Sequence, residues 1–365
     1  MFFIPFFIAV LALVTLLMVA SYARARREVL SADAFRDLFR VKYGMSQCLL
    51  ADGVTTFQVL NPSASTTIII THGLSMGALT YLTLARCFAR RGYRVVVFDG
   101  FGRGLSDRIA TRPVDMDLLV RQLLQLLNHL GVERTAIYGT SLGAAVAAAF
   151  VARHPDRAIA VGFEAPHIRP SADPALHQLV AVTRYLPPLG RWLARVSVVP
   201  LLLGRGEKGV VGEEAAEIAN HFERQFEVVG HQADLLSMLT GDPIYSDHTG
   251  DHAAIGAHGT PVHFSYATDD SECPPATTEA AIALHRSPSV ATYTGGHFFS
   301  SGRDEEMAED FDRFLRAAVD VVPAATPAID VVPAATPRPS NTAASKRPSR
   351  SPARRRSDRS RNLML

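Results

Sequence analysis

From about residue 47 onward, two hydrophobic periods alternate along the chain. Short uncharged runs rich in β-branched residues predict buried strands, and they occur at 66–71, 94–98, 135–138 and 158–163. Apolar residues at helical spacing predict the intervening helices, which are 77–91, 115–130 and 142–152. Strands that alternate with helices predict an α/β domain whose mostly parallel central sheet carries helices on both faces.

The alternation is interrupted between residues 165 and 259. This stretch has prolines and several helical patterns, and the strand pattern returns only at 262–266 and 290–294. The pattern predicts a core formed by 47–164 and 260–319, with an inserted helical cap at 165–259. Within the cap, 185–203 is strongly apolar and includes Trp192 and Leu193. These two side chains are candidates for binding an apolar acyl group, although packing inside the cap explains the same pattern.

The first 20 residues are almost wholly apolar and carry no charge. About 20 apolar residues can span a bilayer as a helix, so the pattern predicts a transmembrane anchor at 1–23 and a stalk or lead helix at 24–46. Arginines at 24, 26 and 27 follow the run, and this bias predicts a single-pass membrane protein with a cytosolic catalytic domain. A cleaved signal peptide is the alternative.

Composition restricts the remaining possibilities. The net charge is +2, acidic and basic residues mix evenly through the middle of the chain, and the stretch from Arg338 onward is strongly basic, so we expect no nucleic-acid partner for the folded body. Three cysteines provide no disulfide framework and fit a reducing compartment. An identical eight-residue segment begins at Asp320 and again at Asp330. Together with the Ser, Pro and Arg that follow, it predicts a disordered linker and basic tail over 320–365.

The residues that could carry chemistry begin with Ser141, in Gly139-Thr140-Ser141-Leu142-Gly143. A serine hydroxyl becomes nucleophilic when a base accepts its proton. A sharp strand-to-helix turn can present it, and glycines allow the backbone to crowd there. The predicted strand before this pentapeptide and the predicted helix after it supply that context.

A serine nucleophile needs an acid and a histidine further along the chain. His297 follows the predicted strand 290–294, and it would accept the Ser141 proton. Asp269 and Asp270 both follow the predicted strand 262–266, and either could orient the histidine. The loop at 72–74 follows the first buried strand. In this architecture, backbone N–H groups from that loop and from the residue after the nucleophile hold the oxyanion, which assigns Leu74 and Leu142.

Over roughly residues 47–318, these motifs resemble the α/β-hydrolase family. The matching pieces are His72-Gly73-Leu74, the run from Asp99 to Asp107, the turn at Ser141, Glu164-Ala165-Pro166, Asp270 and Gly296-His297-Phe298. The resemblance is strongest to the lipase and esterase branches, including monoacylglycerol-lipase-like enzymes. It implies ester hydrolysis through an acyl-enzyme, and it places Asp270 rather than Asp269 at the acid position.

We therefore expect a carboxylic ester hydrolase for an apolar, lipid-like acyl substrate, working without a metal or organic cofactor. Asp247, His248, Asp251 and His252 have metal-like spacing, but a solvated connection is the expectation for that stretch. Two alternatives stay open. The same residues could hydrolyse a thioester, an amide or a C–C bond, or the chain could be a non-catalytic membrane adaptor on a hydrolase fold.

Overall fold

A computed structural model describes residues 3–24, 27–109, 112–170, 172–209 and 214–318. Side chains are described for fewer residues, with gaps at 3–6, 9, 22–24 and 205–209. The linker and tail predicted over 320–365 lie outside the described residues, so that prediction stays untested.

The described residues form one eight-stranded sheet in the order β1-β2-β4-β3-β5-β6-β7-β8. The strands are β1 Ser46–Leu50, β2 Gly53–Leu60, β3 Thr67–Thr71, β4 Arg94–Phe98, β5 Thr135–Thr140, β6 Ala158–Glu164, β7 Val262–Ala267 and β8 Ser289–Tyr293. β2 is antiparallel to β1 and to β4, and every other pairing is parallel. The carboxyl ends of the parallel strands therefore meet along one edge.

Fourteen α-helices connect and cover the sheet within the described residues. They are α1 Phe3–Arg24, α2 Ala32–Phe39, α3 Leu82–Arg90, α4 Met116–His129, α5 Leu142–Arg153, α6 Pro174–Tyr185, α7 Pro187–Leu193, α8 Val199–Gly209, α9 Ala215–Gln225, α10 His231–Thr240, α11 Asp242–Tyr245, α12 Thr249–His258, α13 Pro275–Ile282 and α14 Asp304–Ala318. A π-helical turn, Ala194–Val198, joins α7 to α8.

Alternate residues of the buried strands face opposite sides of the sheet. Ile69 of β3 packs into the core shared with α4 and α5, whereas its neighbours Ile68 and Ile70 join the core shared with α3 and α14. All five residues of β3 are buried, as expected for a parallel strand covered on both faces. The interior strands are thus held rigidly, and they position the loops at their carboxyl ends.

The helices α6 to α11 lie between β6 and β7 and form the inserted segment. The next helix, α12, packs against α5 of the core. His252 on α12 is 1% exposed and stacks edge-on against Phe163 of β6. The solvated connection expected around 247–252 is therefore wrong, because this stretch belongs largely to a helix with a buried face.

The segment expected to be a stalk packs on the body. Ser31 caps α2 by accepting a hydrogen bond from the Ala34 amide. Phe35 and Phe39 of this helix are buried, and the Arg36 guanidinium donates to Asp107 at 2.7 Å. These contacts attach α2 to the loop after β4.

Among the residues that the structure describes, no helix is long and apolar enough to cross a membrane. The predicted transmembrane anchor at 1–23 and the predicted single-pass membrane location are therefore wrong, and attachment to a membrane through this segment is unsupported. In α1, the Met18 carbonyl accepts a 3.0 Å hydrogen bond from the Trp192 indole of the cap.

Candidate active site

Ser141 occupies the sharp turn between β5 and α5. Its backbone has φ 55° and ψ −118°, a region that non-glycine residues rarely adopt and that costs of order 1–3 kcal/mol. The Ser141 amide donates to the Glu164 carbonyl at the end of β6, at 2.9 Å. This bond ties the turn to the neighbouring strand and helps to maintain the strained conformation.

Glycines on both sides of Ser141 make this turn possible. A Cβ atom on Gly143 would lie 2.0 Å from the Thr71 carbonyl oxygen, and one on Gly139 would lie 2.6 Å from the Gly143 carbonyl oxygen. Real Cβ atoms essentially never approach backbone this closely. The start of α5 therefore packs directly against the backbone at the end of β3, which brings Ser141 beside the 72–74 loop.

Ser141, His297 and Asp270 form a continuous hydrogen-bonded row. His297 Nε2 lies 3.0 Å from Ser141 Oγ, and His297 Nδ1 lies 2.9 Å from Asp270 Oδ2. Asp270 is 2% exposed. The structure thus brings the three predicted residues into contact from the ends of three strands, although they are separated by up to 156 positions.

The two aspartates after β7 have different surroundings. Asp270 Oδ1 accepts hydrogen bonds from the amides of Glu272 and Cys273, at 2.8 and 2.9 Å, which leaves Oδ2 for His297. Asp269 is exposed, and its carboxylate accepts from the Gly295 amide at 3.3 Å. Contact with His297 therefore distinguishes Asp270 from its neighbour.

The pKa of His297 reflects two opposing effects. Burial lowers it, because an apolar environment disfavours the charged ring, but hydrogen bonds to Asp270 and Cys273 outweigh burial and raise the pKa well above its ordinary value of 6.5. A carboxylate at Nδ1 stabilises the imidazolium that forms when the ring accepts a proton. The neutral ring, which can act as a base, becomes the major form as the pH rises through this pKa.

The predicted oxyanion donors lie on the two loops that meet at Ser141. Among the described residues, neither the Leu74 amide nor the Leu142 amide donates to another protein group. His72 holds the first of these loops. Its Nδ1 lies 2.8 Å from the Gly73 carbonyl, and its Nε2 accepts from the Gly100 amide at 2.8 Å.

His72 is fully enclosed, and burial lowers its pKa to about 3. The ring is therefore neutral, with its proton on Nδ1, and it acts as a spacer between two backbone turns. Asp99 has a similar supporting position. Its carboxylate accepts from the amides of Ala78 and Leu105, at 2.6 and 2.9 Å, so it joins the loop after β3 to the turn after β4.

A cavity of about 750 Å³ opens beside Ser141 and His297. Its outer wall comes from the cap and is mostly apolar, with side chains from α6, α7, the π-helical turn and α8: Leu176, Leu179, Val182, Leu193, Val198, Leu201 and Leu202. Leu193 thus lies where a substrate-binding role requires it. Trp192 is not among the lining residues, because its indole is directed to α1.

The charge of the lining restricts what can bind. Among the described residues, the cavity lining contains no Lys or Arg, whereas Glu164, Asp173, Glu272 and Asp304 contribute carboxyl groups. The lining histidine other than His297 is His167, whose pKa burial lowers to about 4. The site therefore offers no permanent positive charge to an anionic substrate.

Two functional neighbours were not assigned a role from the sequence. Glu164 accepts hydrogen bonds from the hydroxyls of Tyr138 and Ser300, at 2.6 and 2.5 Å, directly behind the turn of Ser141. Cys273 lies beside His297 and Asp270. The sequence shows that Cys273 comes three residues after Asp270, which suggests that the two lie close together in a turn. Its closeness to His297 could not be predicted, because that contact depends on two strands that are separate in the sequence.

Comparison with known proteins agrees with this architecture. A sequence model described as the alpha/beta hydrolase fold matches residues 66–201, which include β3, the Ser141 turn and the start of the cap. The matched region and the sheet described above give the chain an α/β-hydrolase fold. The fold and the resemblance inferred from the motifs are confirmed at this level, whereas the monoacylglycerol-lipase-like branch stays a prediction.

Curated sequences similar to part of this chain include 2-hydroxy-6-oxononadienedioate/2-hydroxy-6-oxononatrienedioate hydrolases. The protein from Paraburkholderia phymatum is 37% identical over 94 residues, which are 25% of this chain and 33% of that protein. The one from Pseudomonas putida is 38% identical over 94 residues, with the same shares of each chain. The matched stretch spans about a third of the length of these curated relatives.

Solved structures similar to this chain cover more of it. An esterase from Thermogutta terrifontis superimposes with a TM-score of 0.60 and 17% identity, over 75% of this chain and 98% of that one. A meta-cleavage product hydrolase from Pseudomonas fluorescens superimposes with a TM-score of 0.58 and 17% identity, with the same coverage. At this identity the similarity concerns the fold, which both kinds of hydrolase share.

Proposed function

We propose that this chain is a serine hydrolase that cleaves carboxylic esters with an apolar acyl group, using Ser141, His297 and Asp270. The observation that carries the proposal is the hydrogen-bonded row from Ser141 Oγ to Asp270, beside a cavity with an apolar cap wall. Apolar lining over most of a pocket, with a few convergent polar groups, is typical of small-molecule sites.

In the proposed reaction, Ser141 Oγ attacks the ester carbonyl while His297 Nε2 accepts its proton. The amides of Leu74 and Leu142 donate to the oxyanion, and a donor of this kind typically contributes about 10²–10³ in rate. His297 then protonates the leaving alcohol, which departs and leaves an acyl group on Ser141. Water, deprotonated by the same ring, releases the acid and restores the serine.

C–C bond hydrolysis is the second candidate. The curated relatives named above are hydrolases of 2-hydroxy-6-oxononadienedioates, and the same three residues could serve such a reaction. A dienedioate carries two carboxylates, however, and a buried charge is costly without a partner. The described lining supplies four carboxyl groups and no Lys or Arg, which favours a neutral substrate.

Two measurements test the proposal. A fluorophosphonate probe should label the full-length protein, and Ser141→Ala should abolish the labelling. A series of p-nitrophenyl esters should then show turnover that increases with acyl length until the cavity is filled. Failure to hydrolyse any ester, together with turnover of a dienedioate, would establish the second candidate instead. Labelling without turnover of either substrate would point to a thioester or an amide, which the same residues could also hydrolyse.

A further inference from the structure

Three potential metal ligands of different kinds converge at the Asp270 end of the catalytic row. One ligand atom from each of Asp270, Cys273 and His297 lies within 4.8 Å of the other two. Among the described residues, no other three His, Cys, Asp or Glu side chains bring their ligand atoms this close together. Carboxylate, thiolate and imidazole are the three side-chain ligands that Zn²⁺ uses, with bonds of roughly 2.0–2.3 Å that place tetrahedral ligand atoms about 3.3–3.7 Å apart.

The backbone already arranges two of these ligands. The Cys273 amide donates to Asp270 Oδ1 at 2.9 Å, so the turn that carries the carboxylate also fixes the position of the thiol. The Glu272 amide donates to the same oxygen at 2.8 Å. Supporting hydrogen bonds of this kind orient the side chains that bind the ion in metal sites. Oδ2 remains directed at His297 Nδ1, 2.9 Å away.

The site can be reached from the cavity. Cys273 and His297 both line it, while Asp270 is buried behind them. An ion that enters beside Ser141 would meet the thiol and the ring first, and the fourth position would face the cavity, where water can occupy it. Three protein ligands and an open position are the arrangement of accessible zinc sites.

We propose that Asp270, Cys273 and His297 Nδ1 bind Zn²⁺ and that this binding switches the hydrolase off. Zn–S, Zn–O and Zn–N bonds form, and the Cys273 thiol releases its proton to solvent. The proton on Nδ1 of the neutral ring moves to Nε2, so the ring stays neutral. His297 Nε2 then carries a hydrogen and cannot accept the Ser141 proton. The inhibitory role rests on the proposed hydrolase function, whereas zinc binding does not.

Binding is tested without any substrate on the full-length protein. Zn²⁺ should bind at one equivalent in equilibrium dialysis. Co²⁺ in its place should produce a thiolate-to-cobalt charge-transfer absorption. Loss of a group that only hydrogen-bonds to a metal ligand typically weakens metal binding by about 10–100-fold. Loss of a ligand itself should cost more. Cys273→Ser should therefore weaken zinc binding by at least about 100-fold and remove the absorption. Cys48→Ser, which changes a buried thiol on β1, should leave both unchanged.

Equal zinc affinity in Cys273→Ser, or a cobalt spectrum without the thiolate band, would overturn the proposal. It would point to another site, such as the His252–His285 pair, whose ring nitrogens lie 3.3 Å apart. Thermal denaturation confirms that each variant folds, and Cys273→Ala is the second variant if the serine form does not.

The activity measurement separates this inference from the proposed function. If esters are hydrolysed, micromolar Zn²⁺ should suppress the wild-type rate at least tenfold, and a chelator should restore it. Cys273→Ser should lose this sensitivity relative to its own zinc-free rate. If zinc binds as described but no ester is hydrolysed, the metal site stands and the ester function fails. Hydrolysis that zinc binding leaves unaffected would refute the switch.

Discussion

The two walls of the cavity are built differently. On the sheet side, Ser141, His297 and Asp270 are held by hydrogen bonds of 2.9–3.0 Å to one another, and the backbone around them is fixed by further bonds to Glu164, Glu272 and Cys273. On the cap side, the lining residues of α6 to α8 are mostly aliphatic and contribute contact area, and a π-helical turn interrupts the helices.

The different construction of the two walls suits two different tasks, which are positioning the reacting atoms and contacting the acyl group. Hydrogen bonds with defined directions can hold reacting atoms in a productive geometry, where displacements of 1 Å are costly. Apolar contacts have no preferred direction, and their strength follows the area that they bury. We therefore expect changes on the sheet side to reduce the rate with every substrate, and changes on the cap side to alter the choice of acyl group.

Removal of the nucleophile should have the largest effect. In Ser141→Ala we expect kcat for a p-nitrophenyl ester to fall by about 10⁶-fold, because loss of the serine in a triad removes nearly all the cooperative catalysis. The loss should be the same for short and long acyl chains. The midpoint of thermal denaturation should change little, since alanine keeps the Cβ atom and the backbone conformation of this turn (φ 55°) and loses one hydroxyl. A loss confined to one chain length would contradict the division between the two walls.

The next largest effect should follow from Asp270→Asn, with about a 10⁴-fold fall in kcat, because an amide cannot stabilise the imidazolium. Asp269→Asn is the matched control and should retain activity within about threefold, since this exposed carboxylate contacts the Gly295 amide rather than the ring. Equal losses in the two variants would reassign the acid.

The pH dependence of kcat/KM should also reveal the contact between Asp270 and His297. Asp270 raises the pKa of His297, and the base works only when neutral, so kcat/KM of the wild type should increase with pH up to a plateau above 6.5. In Asp270→Asn, burial would act without the carboxylate, and this rising limb should move to lower pH. If the rising part of the kcat/KM profile did not shift in Asp270→Asn, a group other than His297 would control the pH dependence.

A change in the sheet-side backbone should cost several kcal/mol of stability. The added methyl group of Gly143→Ala would lie 2.0 Å from the Thr71 carbonyl oxygen, and relief of this overlap requires α5 to move. We expect the free energy of unfolding, measured by urea denaturation, to fall by roughly 3 kcal/mol or more, as for other severe steric conflicts. Gly250→Ala on α12 has open space around its Cβ and should be neutral or gain up to about 1 kcal/mol.

The smallest effect should come from the cap. Leu193→Ala should reduce kcat/KM for long acyl esters by about tenfold, within the range for lost methylene contacts, and leave acetate esters within about twofold. Trp192→Phe is the neighbouring control, because its indole binds the Met18 carbonyl outside the cavity, so its selectivity should match the wild type. A uniform loss across chain lengths in Leu193→Ala would show that the cap side also determines the rate.

The central strands and the serine turn could be predicted because their signals are local. The expected strand at 94–98 matches β4, and the expected 135–138 corresponds to β5, which extends two residues further into the Gly139-Thr140 turn. A short run of β-branched residues that is buried on both faces has few possible structures other than an interior strand of a parallel sheet. Similarly, the glycines beside Ser141 are required by backbone crowding at that point.

Other features depended on contacts between distant residues. The choice between Asp269 and Asp270 rests on which carboxylate faces His297, and adjacent residues in the sequence give no direct measure of this. The stretch at 247–252 looked solvated because its histidines are polar, yet His252 is buried against Phe163. The N-terminal run was interpreted from hydropathy alone, which counts apolar residues without regard to their structural setting.

Gln225, the last residue of α9, is fully buried and joins three parts of the molecule. Its carbonyl oxygen accepts from the Gly104 amide at 3.1 Å, and its amide nitrogen donates to the Ser75 carbonyl at 2.7 Å. The cap is therefore fastened at α9 to the same loop that carries Leu74. A rearrangement that lifts α9 would therefore disturb the support of the oxyanion loop, so we expect a bulky ester to enter by displacement of α6 to α8 instead.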